Sequence, residues 1–104
     1  MSEREIQNEI LERLLLIPGI FAWRANVGAI KRYGRFVRFG YVGQGDISGV
    51  LPNGRRLEIE VKTKDGVLSE EQIKFGQRIN EAGGLWILAR SADEAIARVK
   101  EALV

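Results

Sequence analysis

The chain has 104 residues, 45% hydrophobic and 29% charged, which is enough for one core and too few for two domains. Cysteine and histidine are both absent, so a disulfide framework, a zinc knuckle, a thiol nucleophile and an imidazole base are excluded, leaving carboxylates, lysine, hydroxyls and bound ions for any chemistry. No apolar run approaches the ~20 residues of a membrane span, and the polar start Met1-Ser2-Glu3-Arg4-Glu5 is helix-like rather than a signal peptide, so a soluble, cytoplasmic protein with no membrane partner is expected.

Ser2 with Glu5 three residues on reads as a capping box, and Ile6, Ile10 and Leu14, with Leu11 and Leu15, mark an amphipathic helix that ends before Pro18-Gly19. Residues 20–26 read as a strand and 35–42 as another, with a loop containing Gly28 and Gly34 between them. Residues 46–51 and 55–63 flank Pro52-Asn53-Gly54, a hairpin signal in which proline presets the first turn position and glycine accepts a left-handed one. Ser69 opens a second helix with Gln72 as its capping partner, and Gly83-Gly84 closes it. Residues 85–89 are wholly apolar, as in a strand buried on both faces, and Ser91 caps a last helix with Ala92, Ala95, Ile96, Val99 and Leu103 inward. One α/β domain over 1–104 is predicted, a mixed β-sheet flanked by helices.

The net charge of +2 conceals segregation. Between Glu12 and Asp46 there is no acid, yet the stretch carries Arg13, Arg24, Lys31, Arg32, Arg35 and Arg38, a local +6, while the remaining ten bases and fourteen acids come to −4. Bases alternating with Trp23, Tyr33, Phe36, Phe39 and Tyr41 suit nucleic acid better than a small acidic metabolite. Tyr33, in the glycine-bounded loop, is the stacking candidate, whereas Trp23 and Trp86 sit in apolar strand runs and read as core.

Residues alternate faces along a strand, so Leu57, Ile59 and Val61 point one way and Glu58, Glu60 and Lys62 the other. A Glu-x-Lys strand face is common solvated surface; the hairpin makes this one different. A three-residue Pro52-Asn53-Gly54 loop sets Leu51 across from Arg55 and brings Asp46 directly across from Glu60, while a two-residue loop would put Asp46 on the wrong face. Two carboxylates with Cβ atoms about 5 Å apart repel by about 3 kcal/mol at an effective dielectric of about 20. A divalent ion relieves that repulsion. With oxygen donors only, a hard ion, Mg²⁺ with Mn²⁺ as substitute, fits Asp46, Glu60 and the main-chain carbonyl of Val61. Lys62 would then hold an attacking water or take up charge on a phosphate, which describes metal-assisted phosphodiester hydrolysis with no organic cofactor. Glu58 is left open between a second ion and solvent.

Asp46, thirteen residues and then Glu60-x-Lys62 resembles the restriction-endonuclease-like PD-(D/E)xK core, and more narrowly the compact stand-alone VRR-NUC nucleases of phages and prophages. The resemblance runs from about Glu3 to Arg90 through Glu3-x-x-Ile6-Gln7, Trp23-Arg24-Ala25-Asn26-Val27-Gly28, Gly43-Gln44-Gly45-Asp46, Glu58-Ile59-Glu60-Val61-Lys62, Ser69-x-x-Gln72 and Gly83-Gly84. It departs from the superfamily name at Gly45, where proline is implied. What the resemblance implies is an αβββαβα core and a metal-dependent endonuclease. Glu3, on the stripe of Ile6, Ile10 and Leu14, would complete the metal site; its alternative role is a favourable acid in the first helical turn. Gln72 would reach the water or a phosphate, against the rival role of cap partner to Ser69, and Gln7 would either contact the site or satisfy buried backbone. Arg24 and Asn26 would bind phosphate together with Lys31, Arg32, Tyr33, Arg35 and Arg38. Branched DNA such as a four-way (Holliday) junction is the implied substrate, in DNA repair or recombination within a bacterial or phage-infected cell. Paired cuts there call for a homodimer. The alternatives are a non-catalytic DNA-binding module and a nuclease for flaps or single strands within a larger assembly.

Overall fold

Helix α1 (Glu3–Leu14) starts at a reciprocal capping box: Ser2 Oγ accepts from the Glu5 N–H, and Glu5 accepts from the Ser2 N–H at 3.0 Å. Its stripe of Ile6, Ile10 and Leu14 is buried. There follow β1 (Phe21–Arg24), β2 (Gly28–Arg32), β3 (Arg35–Phe39), β4 (Ile47–Val50), β5 (Arg56–Val61), α2 (Glu70–Glu81), β6 (Leu85–Ala89) and α3 (Ala92–Ala102). The structure, a computed structural model, describes residues 1–25, 28–32, 34–39 and 41–104, with 28–32 and 36–39 described by their backbone alone.

Four strands form one sheet in the order β1-β4-β5-β6, antiparallel except for the parallel β5/β6 pair. With its helices this is the expected αβββαβα plan. An additional two-stranded ribbon, β2 with β3, is inserted between β1 and β4. Residues 28–34, expected as a loop, thus contain a strand. Arg32 faces Arg35 across a two-residue connection in which Gly34 takes φ 74°, and a partner strand supplies the ladder that 28–32 alone does not announce.

Helices α1 and α3 cover one face of the sheet, where Ile47, Leu57, Ile59, Val61, Ile87 and Val99 are 0% exposed. Removing each such side chain from water stabilises the fold by about 1.5–3 kcal/mol. Helix α2 covers the other face, packing chiefly over β6 and β5 among the described residues. Accordingly β6 is buried on the α1/α3 side, while Trp86 and Leu88, expected to be buried too, are half-buried under α2 at the sheet's edge.

The β4–β5 hairpin takes the three-residue loop. The Leu51 N–H donates to Arg55 O at 2.9 Å, the Gly54 N–H donates to Leu51 O at 2.8 Å, and Gly54 has φ 87°, a conformation that side chains other than glycine enter at a cost. Ile47 pairs with Ile59 and Ser48 with Glu58. Continued one residue, this register sets Asp46 across from Glu60.

Candidate active site

Strand β5 is the source of the site, and its sequence is unusual for its place: Glu58 and Glu60 are 0% and 3% exposed in the middle of a sheet covered on both sides. Buried carboxylates need partners. Glu60 Oε1 accepts from Gln72 Nε2 at 2.8 Å and has Lys62 Nζ at 3.8 Å, but Glu60 Oε2 is buried with no hydrogen-bond partner among the described residues. Burial and then the neighbouring Asp46 carboxylate push the Glu60 pKa up to about 8; Lys62 opposes this and the charge of Glu3 adds to it. Asp46 is anchored separately, its Oδ2 accepting from the Val61 N–H at 2.7 Å. Two acceptors side by side hold either a shared proton or a cation, and every donor atom here is oxygen, which suits a hard divalent ion. Asp46, Glu60 and the Val61 main chain are therefore together. Glu3, half-exposed at the start of α1, is near enough to act on Glu60 electrostatically, yet no group of three or more carboxylates among the described residues is close enough to hold an ion.

Gln72 fills both of its candidate roles at once. Its Oε1 accepts from the Ser69 N–H at 2.8 Å, its backbone N–H donates to Ser69 Oγ, and the amide nitrogen remains free to reach Glu60. The helix cap thus aims the amide at the site.

Glu58 is neither solvated nor beside Glu60's partners. Its Oε2 accepts from Arg56 Nε at 2.9 Å and it stands across the strands from Ser48, while its Oε1 is buried with no hydrogen-bond partner among the described residues; burial outweighs the favourable contacts and raises its pKa. Gln44 Nε2 in turn donates to Ser48 Oγ at 3.1 Å. The register thus sets Ser48, tied to the 41–44 turn, against Glu58 of β5. Gly45, at the departure from proline, lies against β5: a Cβ there would sit 3.0 Å from Ile59 O. Sequence reasoning quoted Gln44 within a motif but gave it no role, and it missed Ser48 and Arg56, whose residue types carry no signal until the register sets Ser48 against Glu58. It also missed Arg90, whose Nη1 donates to the carbonyls of Thr63 and Gly66 at 2.7 and 2.8 Å and so braces the loop after Lys62.

The nucleic-acid candidates are more scattered. Arg24 is half-buried and donates to Gln7 Oε1 and Asn8 Oδ1 of α1, which also gives Gln7 its partner. Arg35 is exposed; Lys31 and Arg32 lie on β2 and Arg38 on β3, known by backbone position, and Asn26 and Tyr33 lie outside the described residues. Trp23, expected in the core, is 37% exposed on edge strand β1, its ring centroid 4.9 Å from that of Phe21, with Arg56 above it. The reason is that α2 packs chiefly over β6 and β5 and, among the described residues, leaves this side of β1 without a helix.

A mixed sheet wrapped by three helices, with facing carboxylates and a lysine at the end of its central hairpin, defines an α/β domain of the restriction-endonuclease-like type. One solved structure, described as a VRR_NUC domain, superimposes with a TM-score of 0.63 at 18% identity, over 99% of this chain and 96% of that one. The chain has the fold of a VRR_NUC domain, as its motifs suggested. No family model and no curated protein matches the sequence. No helix among the described residues is long and apolar enough to cross a membrane.

Proposed function

We infer that the chain is a VRR-NUC-type nuclease that hydrolyses phosphodiester bonds in DNA with the help of Mg²⁺. The observation that carries this reading is Glu60: a carboxylate 3% exposed, facing Asp46, with one oxygen left without a hydrogen-bond partner among the described residues. Such an arrangement destabilises the cation-free fold, and sites of function are where that cost is tolerated. Asp46, Glu60 and the Val61 carbonyl would hold the ion, with Glu3 of α1 completing the set. An ion bound there supplies Lewis acidity to a phosphodiester. Lys62, with three ammonium donors and its Nζ 3.8 Å from Glu60, orients a water or takes up the charge that builds on a phosphate oxygen. Gln72 keeps Glu60 Oε1 hydrogen-bonded and leaves Oε2 for the ion.

The cations of the 24–38 segment supply a sequence-independent grip on phosphates. Branched DNA, four-way junctions above all, is the proposed substrate, and a homodimer the proposed assembly, because one site per chain must act twice to resolve a symmetric junction. The test is incubation with end-labelled four-way junction, flap, single-stranded and blunt duplex DNA, each with Mg²⁺, Mn²⁺ or chelator. Paired, metal-dependent cuts in the junction are expected. Cuts confined to flaps or single strands would remove the junction and dimer claims, and binding without cleavage under any metal would leave a DNA-binding module in place of an enzyme.

A further inference from the structure

Between the 41–44 turn and α2 lies a groove of about 520 Å³ lined by Tyr41, Val42, Glu71, Lys74, Phe75 and Arg78. Its floor is apolar and its wall is aromatic: Phe75 is nearly buried, and the exposed Tyr41 ring stands with its centroid 5.7 Å from the Phe75 ring. Its rim carries two cations to one acid. Arg78 Nη1 donates to Tyr41 Oη at 2.8 Å, with the guanidinium 5.8 Å from the ring centroid, so the ring is held in place while most guanidinium N–H groups stay available. Among the described residues Lys74 is tied to Glu70 alone, an exposed pair at 3.3 Å that exchanges easily with solvent or a phosphate.

The groove is joined to the site by rigid contacts. The turn is closed by the Gln44 N–H donating to Tyr41 O at 2.9 Å and the Tyr41 N–H to Gln44 Oε1 at 3.2 Å. It seats so closely on the first turn of α2 that a Cβ on Gly43 would clash with Glu71 O and lie 3.1 Å from Gln72 N. Gln72 itself bonds Glu60, and Phe75 is one helical turn, about 5 Å, further along. A volume in the range of small-ligand sites, an aromatic wall, an apolar floor and a cationic rim match a nucleotide. A base stacked in a duplex offers only its edge, so a ring face of this kind takes a base that is out of the stack.

We propose that this groove is a subsite for one unpaired nucleotide of the DNA strand being cut, with its base on Tyr41 and Phe75 and its phosphate at Lys74 and Arg78. The proposal rests on the nuclease reading above and supplies a physical basis for preferring branched or single-stranded DNA over continuous duplex. The test is fluorescence anisotropy in chelator, at one salt concentration, with labelled oligothymidine and with a blunt duplex. Tyr41→Ala is expected to weaken oligothymidine binding about tenfold and Arg78→Ala severalfold, both leaving the duplex within twofold of wild type, while Tyr41→Phe retains the wild-type preference. Should Tyr41→Ala fail to fold, Arg78→Ala, on the exposed side of α2, carries the same comparison. Equal losses on both DNAs, or none on either, overturn the subsite. Wild-type cleavage with Mg²⁺ is followed in parallel: cleavage with Tyr41-independent binding removes the subsite and keeps the nuclease, Tyr41-dependent binding without cleavage does the reverse, and a wild type that binds neither DNA removes both.

Discussion

The two faces of the central sheet follow opposite rules. On the side of α1 and α3, β5 contributes Leu57, Ile59 and Val61 to a dry apolar core. On the side of α2, the same six residues contribute Glu58 and Glu60, both hidden from water and only partly partnered, with Glu60 set across from the Asp46 carboxylate. A single strand thus stabilises the fold with one face and gives some of that stability up with the other. Such an imbalance is what the proposed cation would relieve.

Variants on the two faces should fail in different ways. Asp46→Asn and Glu60→Gln are expected to lower Mg²⁺-dependent cleavage about a thousandfold, measured by single-turnover digestion of labelled DNA. Asp46→Asn should nevertheless melt no lower than wild type in chelator at pH 8, since it removes the like charge and keeps an acceptor for the Val61 N–H; a collapse of the fold would mean that Asp46 is structural. On the other face, Ile59→Ala should cost about 3 kcal/mol, seen as a lower urea midpoint, with cleavage persisting in the molecules that remain folded.

The pH response separates the faces again. Glu60 is raised from 4.5 to about 8 in the cation-free fold, so its folded form favours the proton. The stability this confers is fully present below pH 4.5 and is lost as pH climbs through about 8, and Glu58, also raised, contributes in the same direction. Melting temperature in chelator should therefore fall across this window, and Glu60→Gln should flatten the slope. Added Mg²⁺ should raise the melting temperature more at pH 8 than at pH 5, because binding displaces the proton. A melting temperature that rises with pH would contradict a protonated Glu60. The smallest effect is expected at the turn: Gly54→Ala, at φ 87°, should cost about 1 kcal/mol in the same urea assay.

The register that creates the site was legible in the chain, because Pro52-Asn53-Gly54 admits a short list of turns and only one of them puts Asp46 on Glu60's face. The helices were legible too, since Ser2, Ser69 and Ser91 each cap one and the 3.6-residue periodicity marks their inner stripes. These features depend on neighbours along the chain, so local rules reach them. What sits over what does not depend on neighbours. That 28–32 finds a strand partner, that Trp23 lies beyond the reach of α2, that Gln72 caps its helix and still holds Glu60, and that Glu58 is sealed in by Ser48 and Arg56 were decided only when the layers packed. Burial and side-chain pairing are properties of the assembled layers, and segments distant in sequence set them.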